Sequence, residues 1–342
     1  MHPAPATTPA APAFGKAFSD HMLLARYAQG SWSDYELLPF GNLSLSPAAL
    51  CLHYGQTIFE GMKAFRRADG RISLFRVADH YRRLCRSADR MCMPHVPEAL
   101  FTEGLTALVA KDAAWVPEDA DGALYLRPFL IATEERFGVG VSEEYLFLVF
   151  TGPVAGLYPR PLHVKVEDRY IRAAPGGVGA AKCGGNYGGA LYPTQLARAE
   201  GFDQVLWTDG SDDLHLEESG TMNVLFRIND VLVTPPLSDT ILDGITRDSV
   251  LQYARTLGIA VEERRIPAKE LVEAHRAGTL QEAFGCGTAA VVAPLASITV
   301  RGERLELPPL SEQHFCMRAR RYLTDLRRGL LPDPQEWNTI VI

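Results

Sequence analysis

The chain has 342 residues, which is longer than one hydrophobic core usually supports, so two domains are expected. Hydrophobic residues make up 47% of the chain and charged residues 22%, the balance of an ordinary globular protein. A formal net charge of -7 argues against nonspecific binding to nucleic acid or anionic membranes, and the longest apolar stretches are too short to span a bilayer.

The N-terminal stretch is rich in Ala, Pro and Thr and lacks the basic region and long apolar core of an export signal. This composition predicts a disordered tail over residues 1–13. The six cysteines are scattered through the chain, and no close pairing indicates zinc or another metal. Reduced thiols in a cytoplasm are the simplest interpretation.

The first half of the chain mixes short strand patterns with two helix patterns. In chain order it predicts a hairpin turn at 69–70, a strand at 72–75, helices at 77–91 and 97–114, and strands at 124–132 and 145–150.

A dense run of chain breakers then follows at 151–161, which contains three prolines and two glycines. This run indicates the domain boundary. We therefore predict a small α+β domain over 14–152, an interdomain loop over 153–161 and a large domain over 162–342.

The second half interleaves strands and helices, and several strands flank hairpin turns. It predicts strands at 162–166, 204–207, 214–216, 223–228 and 231–233, and helices at 188–200, 246–257, 268–277 and 310–328. Antiparallel hairpins of this kind favour an α+β fold.

A single lysine, Lys182, lies in a run of glycines and alanines that ends at Tyr187. Small neighbours let other backbone or a flat ligand approach the lysine closely. A lysine in a dry environment becomes a nucleophilic amine, which is the chemistry of Schiff-base formation. The alternative is a glycine loop with one solvated lysine. A phosphate-binding P-loop is excluded, because it needs Gly and Ser or Thr where this chain has Ala181 and Cys183.

Further motifs accompany this lysine segment, and together they carry a resemblance to a known family. They are Tyr-Gly-Gln-Thr-Ile-Phe-Glu-Gly-Met-Lys-Ala-Phe-Arg at 54–66, His-Tyr-Arg-Arg-Leu at 80–84, Glu-Glu-Ser-Gly-Thr-Met-Asn at 217–223, Asp-Gly-Ile-Thr-Arg at 243–247 and Phe-Gly-Cys-Gly-Thr-Ala at 284–289. With these motifs in this order, the chain closely resembles the branched-chain amino acid aminotransferases, pyridoxal-phosphate enzymes of fold type IV. The resemblance runs from about residue 14 to the C-terminus.

The resemblance implies a two-domain α+β fold of the D-amino acid aminotransferase type, with the active site at the domain interface. It implies reversible transfer of the amino group of L-Leu, L-Ile or L-Val to 2-oxoglutarate through pyridoxal phosphate. The products are the branched-chain 2-oxo acid and L-glutamate.

The resemblance also assigns the residues that act on the cofactor ring. Lys182 matches the lysine that binds pyridoxal phosphate covalently and moves the substrate proton. Glu218 matches the carboxylate facing the pyridine nitrogen, and Tyr187 the donor to the ring oxygen O3′. Neighbouring Glu217 is interpreted as a solvated acid in a turn.

Four residues match those that bind the cofactor phosphate in the family. Arg83 matches the arginine that pairs with the phosphate, whereas Arg82 is interpreted as solvated. Ile245 and Thr246 begin a predicted helix whose N–H groups attract an anion. Thr288, which follows Gly287, matches a threonine of the same phosphate site.

The substrate residues implied by the resemblance come from both domains. They are Phe14, Tyr54, Tyr125, Arg127, Thr221, Thr288 and Ala289. Tyr54 is expected to come from the partner subunit of a homodimer. Alternation along the strand places Tyr125 and Arg127 on one face, whose alternative interpretation is an exposed strand face. Some mitochondrial relatives carry a redox Cys pair where this chain has Ala290 and Ala293, so no thiol switch is expected there.

Two alternatives stay open from sequence. Another enzyme of the same fold, such as a D-amino acid aminotransferase, an amine transaminase or aminodeoxychorismate lyase, would share the cofactor residues. A non-catalytic protein that binds pyridoxal phosphate or an amino acid would keep the cofactor but lack turnover.

Overall fold

A computed structural model describes residues 15–155 and 158–342, which divide into two units. The first unit combines the described residues up to 155 with Thr324–Ile342, and the second is Tyr158–Leu323. The predicted tail at 1–13 lies outside the described residues. No helix within the described ranges is long and apolar enough to cross a membrane.

The helices and strands follow one another along the chain as two groups. The first group is β1 (His21–Ala28), β2 (Ser31–Trp32), β3 (Glu36–Pro39), α1 (Leu50–His53), β4 (Thr57–Phe59), β5 (Met62–Arg66), β6 (Ile72–Phe75), α2 (Val77–Arg90), α3 (Glu98–Lys111), β7 (Ala123–Ala132) and β8 (Tyr145–Val154). The second is β9 (Leu162–Val166), α4 (Gly184–Ala199), β10 (Gln204–Thr208), β11 (Leu216–Ser219), β12 (Met222–Ile228), β13 (Val231–Thr234), α5 (Ile245–Thr256), β14 (Val261–Glu263), α6 (Ala268–Arg276), β15 (Leu280–Gly287), β16 (Val291–Val300), β17 (Glu303–Glu306), α7 (Phe315–Arg327) and finally β18 (Asn338–Ile340).

The first unit is built on an antiparallel sheet ordered β18-β6-β5-β7-β8-β1-β2, with β3 paired to β1 and β4 to β7. Helix α3 packs on β1 through apolar side chains such as Phe101 and Leu105. The contact is close enough that a Cβ on Gly104 would overlap Leu23. Burial of these side chains supplies the core of the unit.

The second unit is built on a sheet ordered β11-β10-β9-β16-β15-β12-β13-β14, with β17 paired to β16. Because β11 also pairs with β12, six strands close into a ring. The unit's largest hydrophobic cluster draws on inward-facing residues of these strands, including Val164, Leu206, Phe226 and Ile298. The closed ring leaves β11 with a hydrogen-bonded neighbour on each side.

The α+β fold class of fold type IV is confirmed, and most predicted elements appear within a few residues of their expected ends. The hairpin turn between β12 and β13 takes positive φ at Asn229 and Asp230, 50° and 63°, as its sequence predicts. The pair predicted at 214–216 instead begins at Leu216, because Leu214 has a φ of 49°.

Two boundaries differ from the sequence prediction. Strand β8 continues through Gly152 and Pro153, which had been assigned to the boundary region. Its pairing with β1 ends at Phe150, so Pro153 lacks an N–H where no β1 bond is needed. The segment 324–342 was assigned to the large domain, but it groups with the first unit because β18 pairs with β6.

Candidate active site

Lys182 lies directly before Cys183, the residue that caps the start of α4. Tyr187 is in the first turn of that helix, and residues at these two positions commonly contact each other at a helix start. The Lys182 Nζ donates to Tyr187 Oη at 2.9 Å and lies 5.5 Å from the centre of the ring. The Lys182 side chain is half-buried. The spacing in sequence therefore brings an amine and a phenol together.

The segment before Lys182 is held close to the chain around Thr240. A Cβ on Gly179 would lie 2.7 Å from Thr240 Cα, and the Ala180 N–H donates to the Asp239 carbonyl at 2.8 Å. Asn186 Nδ2 reaches back from α4 to the Val178 carbonyl at 2.9 Å. Glycine is needed at 179 for this approach, whereas the glycines after Lys182 belong to α4 rather than to a loop, as the predicted helix at 188–200 had implied.

Glu218 is a buried carboxylate on β11. Its Oε1 accepts a hydrogen bond from the Leu242 N–H at 2.7 Å and a longer one from Asn223 Nδ2 at 3.4 Å. Its Oε2 lies 3.1 Å from Arg172 Nε. A charged group out of water needs such partners, so the site is built to hold an ionised carboxylate.

Glu217 is also buried, and the interpretation of it as a solvated turn acid was wrong. Its Oε1 accepts a hydrogen bond from Thr240 Oγ1 at 2.5 Å. Burial raises the pKa of Glu217, although the bond from Thr240 and the charge of Arg172 act in the opposite direction. The acid is buried because β11 has a strand on each side, which the acidic turn before it concealed in the sequence.

The turn before α5 adjoins the same carboxylate. Gly244 caps α5, and Ile245 and Thr246 are its first two residues, both buried. Asn223 Nδ2 donates to the Leu242 carbonyl at 2.9 Å, and a Cβ on Gly244 would overlap Asn223 Oδ1. One side chain thus ties the Glu218 strand to a helix N-terminus, where the backbone favours an anion.

Two hairpin turns place the remaining predicted residues of this unit at one end of the sheet. Thr221 lies in the turn between β11 and β12, and Thr288 and Ala289 lie in the turn between β15 and β16. The turns are neighbours because β12 pairs with β15, and a Cβ on Gly287 would lie 3.9 Å from the Thr221 carbonyl.

In the first unit, Arg83 is a buried residue of α2 that binds Glu60 through two hydrogen bonds of 2.7 Å. His80 Nδ1 lies 2.7 Å from the same carboxylate, and three-residue spacing places His80 and Arg83 on one helix face. Burial acts to raise the pKa of Glu60, but Arg83 and His80 outweigh it and hold that pKa well below its usual range. Arg82 is exposed, as predicted.

Tyr125 and Arg127 share one face of β7, as their alternation predicts, and both are half-buried. Arg127 donates to Tyr125 Oη at 3.1 Å and lies over the Phe59 ring at 4.7 Å. A Cβ on Gly61 would overlap the Tyr125 hydroxyl, so the Phe-Glu-Gly motif leaves room for this tyrosine.

Two predicted substrate residues stand apart from these contacts. Tyr54 is 46% exposed at the end of α1, where its hydroxyl donates to the Phe137 carbonyl at 2.5 Å. Phe14 lies outside the described residues. The sequence did not indicate Arg172, Asn223, Thr240 or the Glu60 pairing. The only available signal for them was that Glu60 and Asn223 belong to quoted motifs.

Comparison with known proteins supplies the family. The model of the amino-transferase class IV family matches residues 57–298. The chain is 41% identical over 332 residues to "Branched-chain-amino-acid aminotransferase 2" of Bacillus subtilis (strain 168), covering 96% of this chain and 92% of that protein.

Two solved structures share the fold. A branched-chain aminotransferase from Thermoproteus uzoniensis, solved with norvaline, has a TM-score of 0.78 and 24% identity, covering 95% of this chain and 100% of the other. A T.th. branched-chain amino acid aminotransferase complexed with N-(5′-phosphopyridoxyl)-L-glutamate has a TM-score of 0.73 and 25% identity, covering 93% and 98%. The chain therefore belongs to the class IV amino-transferase family, in its branched-chain-amino-acid aminotransferase group.

Proposed function

We propose that this protein is a branched-chain amino acid aminotransferase that uses pyridoxal phosphate. It transfers the amino group of L-Leu, L-Ile or L-Val reversibly to 2-oxoglutarate, giving the branched-chain 2-oxo acid and L-glutamate. The observation that carries the proposal is the Lys182 amine 2.9 Å from the Tyr187 hydroxyl. It stands in a chain 41% identical to a branched-chain aminotransferase.

The chemistry of the donor set fits pyridoxal phosphate. Lys182 offers an amine for the aldehyde, Tyr187 a phenol for the ring oxygen, and Glu218 a buried carboxylate for the ring nitrogen. The start of α5 at Ile245 and Thr246 offers N–H groups for a phosphate. When bound, the cofactor supplies an electron-withdrawing ring that stabilises negative charge at the substrate α carbon. The related structure complexed with N-(5′-phosphopyridoxyl)-L-glutamate agrees with this assignment.

The chain's own groups then divide the work of the reaction. Lys182 Nζ accepts the proton from the substrate α carbon and returns one on the reverse path. Glu218 stays an acceptor because Leu242 N–H and Arg172 hold its two oxygens. Tyr187 Oη fixes the direction of the Lys182 amine before substrate arrives.

Arg83 and Thr288 complete the proposed phosphate contacts by resemblance. Arg83 has two of its donors committed to Glu60, which locks its guanidinium plane and leaves its position precise.

The proposed substrate groups combine aliphatic and anionic recognition. Arg127 offers the charge for the second carboxylate of 2-oxoglutarate, and the Phe59 and Tyr125 rings beside it suit an aliphatic side chain. Thr221, Thr288 and Ala289 offer turn backbone for the α-carboxylate. Phe14 and Tyr54 are assigned to substrate by resemblance.

A donor panel tests the proposal. Purified protein is given L-Leu, D-Ala or an aryl amine with 2-oxoglutarate, and glutamate is measured. Borohydride reduction followed by peptide mapping should label Lys182. Lys182→Ala should abolish turnover, while the control Lys269→Ala, a side chain 67% exposed, should leave it unchanged. Activity restricted to D-Ala or the amine, or full turnover by Lys182→Ala, would refute the proposal. Bound cofactor without any turnover would instead indicate the non-catalytic alternative.

We further propose a homodimer in which Tyr54 reaches the partner's site. In support, Phe137, which accepts the Tyr54 hydroxyl, is 92% exposed and Val139 is 82% exposed, an apolar surface that a second copy would cover. Sedimentation should give a dimer, and Phe137→Ser with Val139→Ser should weaken it. A monomeric wild-type protein that is fully active would contradict the arrangement.

We also propose a cytoplasmic location. All six cysteines are free thiols, which agrees with a reducing compartment. Cell fractionation that finds the protein outside the cytoplasm would contradict this.

A further inference from the structure

Arg172 lies between β9 and α4 and is not among the residues that the resemblance assigns to the cofactor. Its side chain is 8% exposed. One terminal nitrogen donates to two backbone carbonyls, that of Gly179 at 3.2 Å and that of Thr240. Its Nε lies 3.1 Å from Glu218 Oε2, an ion pair by distance in which the N–H is not aligned for a hydrogen bond.

These contacts join three separate parts of the proposed site. Gly179 belongs to the segment that leads to Lys182. Thr240 belongs to the chain that packs on Gly179 and leads to the start of α5. Glu218 belongs to β11. Because the three segments are far apart in sequence, a side chain that contacts all of them fixes their relative positions.

The charge of Arg172 also acts on two buried acids. Glu217 and Glu218 are consecutive and both buried, and Arg172 lowers the pKa of Glu217 while Glu218 raises it. Two neighbouring carboxylates out of water cannot both ionise cheaply without a nearby cation. Arg172 therefore favours one ionised carboxylate, and its closest acidic oxygen belongs to Glu218.

We propose that Arg172 is a positioning residue of the transamination site: it holds Glu218 ionised and oriented, and it aligns the Lys182 segment with that carboxylate through Gly179 and Thr240. The proposal rests on the proposed function, because it gives Glu218 and Lys182 their work. It adds a residue that acts through these two groups and not by touching the substrate.

The planar guanidinium is needed for the full effect. Its fork reaches carbonyls with one nitrogen while another faces the carboxylate, whereas an ammonium is a single point of charge. Arg172→Lys should therefore restore part of the charge effect but not the alignment. Arg172→Met should lose both.

The experiment compares Arg172→Met, Arg172→Lys and the control Arg169→Met, whose exposed guanidinium lies over Tyr170 at 5.1 Å. Four quantities are measured: the melting temperature of the apoprotein, the dissociation constant of pyridoxal phosphate, the pH titration of the bound cofactor's absorbance, and kcat and KM with L-Leu. The absorbance titration reports the electrostatics of Glu218 independently of turnover.

We expect Arg172→Met to lower kcat by about tenfold to a hundredfold, the loss typical of removing an outer-shell partner at metal centres, with a smaller change in KM. It should also shift the pH midpoint of the absorbance and weaken cofactor binding. Arg172→Lys should lie between Arg172→Met and wild type in the absorbance titration, and Arg169→Met should match wild type in all four quantities.

Folding is controlled by a further variant. If Arg172→Met does not fold, the same measurements are made on Arg172→Met with Glu217→Gln, which removes one buried acid. A variant without Arg172 that turns over L-Leu and titrates like wild type overturns the Arg172 proposal and leaves the proposed function standing. A wild-type protein that binds no pyridoxal phosphate overturns the proposed function and this proposal with it.

Discussion

Glu217 and Glu218 show how consecutive residues of one strand acquire different chemistry. Successive strand side chains point to opposite faces, so Glu217 meets the Thr240 hydroxyl and Glu218 meets Arg172 and the Leu242 N–H. A hydroxyl is a weaker partner for negative charge than a guanidinium. The protonated form is therefore favoured at Glu217 and the ionised form at Glu218.

This difference predicts a pH dependence of stability for Glu217. Burial raises the pKa of Glu217 in the folded protein, so the folded state binds this proton more tightly than the unfolded chain. The resulting stability is present below the ordinary value of 4.5 and is lost as pH rises through the raised value. Glu217→Gln should flatten that fall in urea unfolding measured across this range, relative to the exposed control Glu312→Gln. An unchanged slope would contradict the burial effect.

Lys63 offers a second residue-scale test in the first unit. It is buried on β5 opposite Tyr125, and burial together with the charge of Arg327 lowers its pKa from 10.5 to about 7. The unfolded chain binds this proton more tightly, so stability should fall as pH falls from 10.5 to about 7.

Lys63→Met should therefore unfold at a higher temperature than wild type at pH 7, and the advantage should shrink as pH rises. Thermal unfolding at several pH values measures this, with the exposed Lys111→Met as the control. Lower stability of Lys63→Met at pH 7, with the slope of wild type retained, would show that its contacts outweigh its burial.

At the scale of elements, the glycines around Lys182 have two different roles. Gly179 lies where the loop touches Thr240, and an added Cβ would lie 2.7 Å from backbone. Gly188 lies in α4 with no atom within 4 Å of an added Cβ. The same residue type thus permits a close approach in one place and only lowers helix stability in the other.

This contrast predicts opposite effects for one substitution. Gly179→Ala should destabilise the protein by about 1–3 kcal/mol, the usual cost of overpacking, and weaken pyridoxal phosphate binding. Gly188→Ala should stabilise it by about 0.5–1 kcal/mol, because alanine loses less backbone freedom in a helix. Denaturant unfolding of the two variants measures both. Equal effects would mean that the approach to Thr240 does not constrain the loop.

At the scale of the whole molecule, the chain returns to its first unit at the end. Strand β18 pairs with β6, and Trp337 packs edge-on against Phe75 at 5.7 Å with Arg76 over its ring at 4.5 Å. Arg327 lies over the Phe75 ring at 4.5 Å as well. The C-terminus therefore completes a sheet whose other strands come from the first half of the chain.

Removal of residues 332–342 should lower the thermal stability of the first unit and make β6 susceptible to proteolysis. The truncation removes an edge strand and uncovers Phe75. Full-length Trp337→Ala, which keeps the strand, should lose less stability than the truncation. A truncated protein with the melting temperature of wild type would show that β18 adds nothing to the sheet.

Much of the fold and site could be predicted because the responsible signals are local. The Asn229-Asp230 turn, the face shared by Tyr125 and Arg127, and the helix that begins at Ile245 follow from the preferences of neighbouring residues. The contact of Lys182 with Tyr187 is local too, since both residues belong to one helix start.

Contacts between distant residues supplied what local pattern could not. An acid next to an acidic turn gives no sign that strands will enclose it, so Glu217 was misinterpreted. A lone arginine at 172 has no motif that links it to Glu218 or Thr240, which lie 46 and 68 positions away. Burial and ion pairing depend on which strands become neighbours, and only the folded chain decides that. Local pattern was enough to identify the family and its lysine, and the tertiary structure decided which charges stabilise the carboxylate beside it.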